Sequence, residues 1–298
     1  MTLATFSWRD GMLYGLLGLP LAFVALPLYV VLPNHYAREF GVPLATLGAV
    51  LLGARLFDAF IDPLIGRATD RLFARSIRAV LMFGAIAALV LAAGFALLFF
   101  PPTRAPDTLV PWATAMLVLT YAAYSALSVA HQSWGAMLGG DAALRSRIVS
   151  WREGLGLVGV LAASVLPTVA GLEVTAVAFA LLLAGGWLAW SRARAPVARA
   201  GATATNIWLP FARPAFRRLL GVFMLNGIAS AVPATLVLFF IQDRLQAPAQ
   251  LEPAFLASYF LCAALSIPLW LMGVQRFGLA RCWLAGMVLA MSVFIWAT

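Results

Sequence analysis

Nine apolar runs of about 20 residues constrain this chain more than any other feature of its sequence. They fall at 11 to 33, 43 to 65, 77 to 100, 109 to 137, 151 to 171, 174 to 191, 216 to 241, 253 to 274 and 279 to 297. A helix of that length crosses the hydrocarbon layer of a bilayer. With 63% hydrophobic and 10% charged residues, the chain lies outside the range of soluble domains. The expected fold class is therefore all-α: a polytopic membrane protein with nine transmembrane helices.

The charges give the expected topology. All 20 basic residues are arginine, and sixteen of them fall at the N-terminus or in alternate loops, at 66 to 78, 139 to 152, 192 to 218 and 275 to 281. Arg38, Arg104 and Arg244 occupy the other loops, and Arg55 lies within an apolar run. The positive-inside rule places the N-terminus in the cytoplasm of a multi-pass protein of the plasma membrane, the inner membrane of a bacterium. The net charge of +9 is then a topology signal, and no nucleic-acid partner is expected. Residues 1 to 10 lack the pattern of a cleavable signal, so the first helix is expected to remain in the mature protein. Cys262 and Cys282 lie in or beside apolar segments and read as packing residues.

Between Ser191 and Arg213 the composition turns to Ala, Arg, Thr and Pro without periodicity, as in a linker. The expected organisation is a six-helix bundle over 1–191, a cytoplasmic linker over 192–215 and a partial second bundle over 216–298. Six helices, a basic linker and a further set is the layout of a transporter with two similar halves. The chain is expected to be a truncated twelve-helix protein; the alternative is a nine-span one.

Chemistry concentrates in the second run, at Arg55-Leu56-Phe57-Asp58-Ala59-Phe60-Ile61-Asp62-Pro63. Asp58 and Asp62 are four residues apart, so a helix carries both carboxylates on one face, with Arg55 one turn earlier. A charge near the bilayer centre costs at least ~3 kcal/mol, and such residues face a polar interior and serve function. The stretch reads as a cation site; alternatively the three charges lock neighbouring helices together. The fourth run offers a polar stripe at helical spacing, Tyr121, Tyr124, Ser125, Ser128, His131 and Gln132, expected to line a central cavity. An unperturbed histidine exchanges protons near neutral pH, so His131 could relay protons or bind substrate, or it could be a hydrogen-bonded packing residue. In helix 1, Pro20 and Pro27 mark bending points or are simply tolerated by neighbours. Gly154, Gly156, Gly185 and Gly186 allow close helix approach, and most tryptophans, Trp134 and Trp151 among them, read as interfacial anchors. No Ser/His/Asp set, HExxH or soluble GxGxxG opening is present, so no enzyme is expected.

Gly66-Arg67-Ala68-Thr69-Asp70-Arg71 resembles the loop between helices 2 and 3 of the major facilitator superfamily, and would make Gly66, Asp70 and Arg71 part of a cytoplasmic gate. Joined to Arg55, Asp58, Asp62 and Pro63, it resembles the glycoside-pentoside-hexuronide:cation symporter family. The resemblance implies the major facilitator fold, with Asp58 and Asp62 binding a coupling cation and the Ser125 hydroxyl completing a sodium site. It also points Arg152 toward the substrate cavity, although Arg152 and the adjoining Glu153 could instead be gate residues. On the residues themselves, Arg55, Tyr124 and Ser128 are expected to line the solute path and His131 to assist the acids.

Two departures matter. Ile61 stands where sodium-coupled members place a polar residue, which removes an oxygen ligand and makes proton coupling at least as strong a reading. The acids with which galactoside binders hold sugar hydroxyls are replaced at Ala22 and near Ser128. The expected function is cation-coupled symport of a small solute, a sugar or glycoside, by alternating access, with the proton or sodium as coupling ion. The alternative is a proton-coupled carrier or exporter of a non-sugar, lipid-like or anionic solute. No cofactor is expected, no metal other than sodium at Asp58 and Asp62, and no partner beyond the solute and membrane lipid around a monomer.

Overall fold

The computed structural model describes residues 6–196, 209–239, 244–246, 248 and 252–297, which form helices with short connections and no strand. Helix α1 runs over Trp8–Glu39, α2 over Leu44–Arg75, α3 over Ile77–Phe99, α4 over Pro106–Met137, α5 over Ala142–Val169 and α6 over Gly171–Ser191. After one turn at Leu209–Ala212 come α7, Pro214–Phe239, α8, Glu252–Phe277, and α9, Leu279–Ala297. Most of the expected linker, residues 197–208, lies outside the described residues. Among the described residues, α1, α3, α4, α5 and α6 contain segments long and apolar enough to cross a membrane, and Leu261–Phe277 and Leu279–Ile295 are shorter apolar helices. Met82, Ile86 and Leu89 form a wholly apolar outer stripe on α3, with Leu89 71% exposed. Such a stripe belongs against lipid rather than water.

Helix α1 is shaped by its prolines. The capping box at its start has the Ser7 backbone N–H donating to Asp10 Oδ2 at 2.8 Å, while the Asp10 N–H donates to Ser7 Oγ at 3.2 Å. Pro20 has no N–H for the Leu16 carbonyl, and the helix breaks there. The Leu19 N–H takes that carbonyl at 3.3 Å, and regular turns resume at Gly18. Pro27 opens a π turn, Pro27–Val31, closed by the Leu32 N–H on the Pro27 carbonyl. Both prolines are thus places where helix geometry changes.

Packing centres on α1. It lies against α5 and α6, while α3 packs on α4 and α6, and α2 on α4. Phe23, Phe95 and Phe179, from α1, α3 and α6, meet with ring centroids 5.8 and 4.7 Å apart and are 0%, 1% and 0% exposed. The α1–α5 contact is made backbone to backbone. A Cβ on Gly15 would fall 2.7 Å from the Trp151 carbonyl oxygen, one on Gly18 would fall 2.6 Å from that of Arg152, and one on Gly159 would overlap the Leu19 carbonyl. Gly156 meets Ala22, and Gly186 meets the Leu17 backbone on the α6 side. Gly156 and Gly186 act as expected, whereas Gly154 makes ordinary contact with Ile267 and Gly185 faces open space.

Two connections are shorter than the sequence suggests. Helix α2 continues through 66–75, where nothing breaks it, and ends at Ser76, whose N–H bonds to the Leu72 carbonyl at 2.9 Å. The same Ser76 caps α3 by accepting the Ala79 N–H at 3.1 Å, so one residue makes the corner. Helix α5 begins at Ala142, capped by Asp141, which accepts the Leu144 N–H at 2.8 Å. The chain divides into two compact units, Met1–Ala200 with Ala264–Thr298, and Gly201–Ala263.

Replacing Gly18 or Gly159 by valine is expected to destabilise the bundle by about 1–3 kcal/mol or more, read as a lowered melting temperature of the detergent-solubilised protein. Gly185→Val is the control and should leave the melt near wild type.

Candidate functional site

Where α2 and α4 pack side by side, their polar residues meet. The Ser125 hydroxyl donates to Asp58 Oδ1 at 2.7 Å. Asp62 stands one turn further along α2, about 6 Å up the axis, and its Oδ1 is buried without a hydrogen-bond partner. The two carboxylates repel each other, while Arg55 attracts Asp58. A buried carboxylate oxygen without a donor is costly, and a bound cation or proton removes that cost. The α2–α4 contact therefore holds one tethered acid beside one unsatisfied acid.

Arg55 is exposed and makes neither a hydrogen bond nor an ion pair among the described residues. Its guanidinium carbon sits 4.0 Å from the centre of the Tyr29 ring and 5.6 Å from that of Tyr121. The two rings are tilted, 5.8 Å apart. Arg55 thus joins α2 to α1 and α4 through aromatic faces, and the helix lock considered from the sequence does not take the form of an ion pair. Tyr29 escaped the sequence reading because it follows Pro27 within the π turn, where a spacing of three and four no longer gives the facing side.

The rest of the stripe extends this group. Tyr124 is half-buried and lies within the field of Arg55. The Ser128 hydroxyl accepts from Gln132 Nε2 at 2.9 Å. Ala22 faces α5, where a Cβ on Gly156 would lie 3.3 Å from its own.

His131 lies apart from the acids. It is 0% exposed, with Nε2 2.8 Å from the Tyr14 carbonyl; since a carbonyl only accepts, Nε2 carries the hydrogen. The Tyr14 hydroxyl in turn donates to the His131 carbonyl at 3.3 Å, the rings stack at 4.4 Å, and Trp190 stands edge-on at 5.7 Å. Gly135 leaves space for the Tyr14 hydroxyl, which any side chain there would overlap. These contacts build the packing alternative, a clasp between α1 and α4, rather than a relay to Asp58 and Asp62.

Trp134 departs from the interfacial reading in the same way. It is 1% exposed, its Nε1 donates to the Arg194 carbonyl at 3.0 Å, and its ring lies 5.2 Å from Trp190. Trp151 stands edge-on to Trp8 at 5.9 Å.

Arg152 is held by its neighbour, donating to Glu153 Oε1 from Nη2 at 2.5 Å and from Nε at 3.0 Å, and it also approaches the Tyr14 hydroxyl. The gate motif is helical here rather than a loop. Asp70 and Arg71 are exposed on the last turns of α2 without an ion pair among the described residues, and a Cβ on Gly66 would meet nothing within 4 Å. The described residues include no group of three or more His, Cys, Asp or Glu gathered as for a metal ion.

Residues 13–298 match the family described as MFS/sugar transport protein. The chain is 28% identical over 160 residues to the protein of Escherichia coli (strain K12) named "Putative glycoside/cation symporter YagG". That alignment covers 53% of this chain and 34% of the relative, so the chain spans about a third of the length of the curated relative it matches.

Because His131 ties α1 to α4, His131→Leu is expected to cost about 1–3 kcal/mol by removing a buried hydrogen bond and orphaning the Tyr14 carbonyl. A thermal melt of the purified protein measures this, and an unchanged melt would refute the clasp.

Proposed function

We propose, since the chain belongs to the MFS/sugar transport protein family over residues 13–298, that it carries a small solute across a bacterial inner membrane in symport with a proton or sodium ion. The family is one of membrane transporters, so the chain is a multi-pass membrane protein and not an enzyme. The observation that carries the coupling proposal is the α2–α4 contact, in which Ser125 binds Asp58 at 2.7 Å beside the unpartnered Asp62 oxygen.

The mechanism follows from charge. With both acids ionised and Arg55 nearby, the site is net negative and attracts a cation. Occupancy neutralises one carboxylate and removes the repulsion between Asp58 and Asp62. A ligand shifts a conformational equilibrium only by its differential affinity for the two states. Neutralisation of an intramembrane acid supplies such a difference, which is how the ion gradient is linked to solute movement by alternating access. Ser125 holds Asp58 in place and offers an oxygen to sodium; the apolar Ile61 beside Asp62 offers none, which favours the proton.

Arg55, Tyr124, Ser128 and Arg152 are proposed to line the solute path, and Gly66, Asp70 and Arg71 to serve a cytoplasmic gate. The division into 1–191, 192–215 and 216–298, the cytoplasmic N-terminus and the monomeric state belong to the same proposal. The solute proposed is a sugar or glycoside, as the family description suggests. A non-sugar solute is the second reading, supported by Ala22 facing α5 and by the absence of an acid near Ser128.

In proteoliposomes, Asp58→Asn and Asp62→Asn are each expected to abolish gradient-driven accumulation while leaving the protein folded and inserted. Ser125→Ala should weaken coupling-ion affinity about tenfold, the loss of one hydrogen bond to a charged group. Undiminished accumulation in both aspartate variants would overturn the coupling assignment.

A further inference from the structure

The Trp134 indole ties α4 to the start of the connection that leaves α6. Its Nε1–H donates to the Arg194 carbonyl at 3.0 Å. Arg194 lies three residues past the end of α6, and the chain before it stays wound, with the Arg192 N–H on the Ala189 carbonyl and the Ala193 N–H on the Trp190 carbonyl, each at 3.0 Å. Ala193 packs on the core and Pro196 is buried. Residues 192–196 are thus the root of the connection, folded against the bundle and held at Arg194 by a side chain from α4. The ring that holds them is 1% exposed, with its centroid 6.3 Å from that of Phe73 on α2 and 5.2 Å from that of Trp190 on α6. Helices α2 and α4 are the pair that carries Asp58 and Ser125. Nine residues, about 13 Å of helix, separate Ser125 from Trp134.

Resting on the symporter reading above, we propose that Trp134 is a positioning residue of the transport cycle, carrying the state of the α2–α4 cation site to the root at 192–196. With both acids ionised, Asp58 and Asp62 repel each other and an Asp62 oxygen lacks a donor, which works against close packing of α2 on α4. A bound cation removes the repulsion and lets the two helices close. Phe73 and Trp134 ride on those helices, so closing them presses the indole into place with its N–H on the Arg194 carbonyl, and parting them gives the ring room to turn. A hydrogen bond weakens steeply as it bends. A small rotation of the ring therefore converts a held root into a released one, and the connection to α7 starts from a fixed point only while the cation site is occupied.

The test is limited trypsin digestion of the purified protein in sodium and in choline salts, at acidic and at neutral pH, with cleavage after Arg194 followed by mass spectrometry. Each rate is divided by that of a short arginine peptide under the same conditions. Arg194 is exposed, but a backbone clamped at its carbonyl does not enter the protease, so the rate follows the released fraction. Sodium or acid is expected to slow cleavage of the wild type. Trp134→Phe keeps a ring in place without the N–H; it should be cleaved about tenfold faster, the loss of one hydrogen bond, and should no longer respond to the cation. Asp58→Asn should lose the response as well. Trp187→Phe is the control, since it removes a comparable bond, from Trp187 Nε1 to the Leu81 carbonyl at 3.1 Å. It should lower the melting temperature and leave cleavage after Arg194 and its cation response as in the wild type. A wild-type rate indifferent to both sodium and pH would overturn the inference, as would a Trp134→Phe protein cleaved at the wild-type rate or with the wild-type response. Equal effects in Trp187→Phe would overturn it too, since general loosening would then account for them. The symporter reading is decided separately, by accumulation in the two aspartate variants.

Discussion

The bilayer offers no partner to a charged side chain, and that constraint organises what the first six helices do with α2. Arg55, Asp58 and Asp62 must each find something inside the bundle, and what they find is α1 and α4. Asp58 takes the Ser125 hydroxyl and Arg55 takes two tyrosine faces, one from each neighbouring helix. Asp62 keeps an oxygen without a donor. A structural ion cluster would satisfy all three groups at once. This one leaves the anionic end incomplete, which is what reversible occupancy by a cation requires.

Holding α4 against α2 depends in turn on how α4 is fixed to α1. The reciprocal bonds between Tyr14 and His131, with the rings stacked and Trp190 closing the side, anchor α4 about two turns from Ser125. Glycines let α1 lie on α5 and α6 at backbone contact, so α1 is a fixed post from which both ends of the site are measured. Chemistry at Asp58 and packing at Gly18 are therefore parts of one support.

Much of this was legible in the sequence, because it rests on period and exclusion. The apolar runs located the helices, and the spacing of Asp58, Asp62 and Arg55 put them on one face. The stripe on α4 was read as one face and brought Tyr121, Tyr124 and Ser125 to the acids' side. His131 shares the stripe's spacing but sits far enough along it to turn toward α1 instead, a rotation that a coarse spacing of three and four cannot resolve. Helix ends were misplaced where polar residues continue a helix beyond the membrane, as at 66–75 and from Ala142. Hydropathy marks the lipid boundary and not the last turn. Trp134 was misread because nearness to a helix end says nothing of direction, and its ring turns inward against Trp190.

The π turn at Pro27–Val31 gives α1 a property that a uniform helix lacks. Each residue added to a helix rotates all that follows by about 100°, so the wide turn acts as a phase shifter in the middle of the span. Upstream, Gly15 and Gly18 point at α5; within the turn, Tyr29 points at Arg55, and downstream the Tyr36 hydroxyl reaches the Leu98 carbonyl of α3 at 2.8 Å. Straightening that one turn would rotate the C-terminal half of α1 away from α2 while the N-terminal half stayed seated on its glycines. A single helix thereby holds two faces in register, with the adjustment between them stored in five residues.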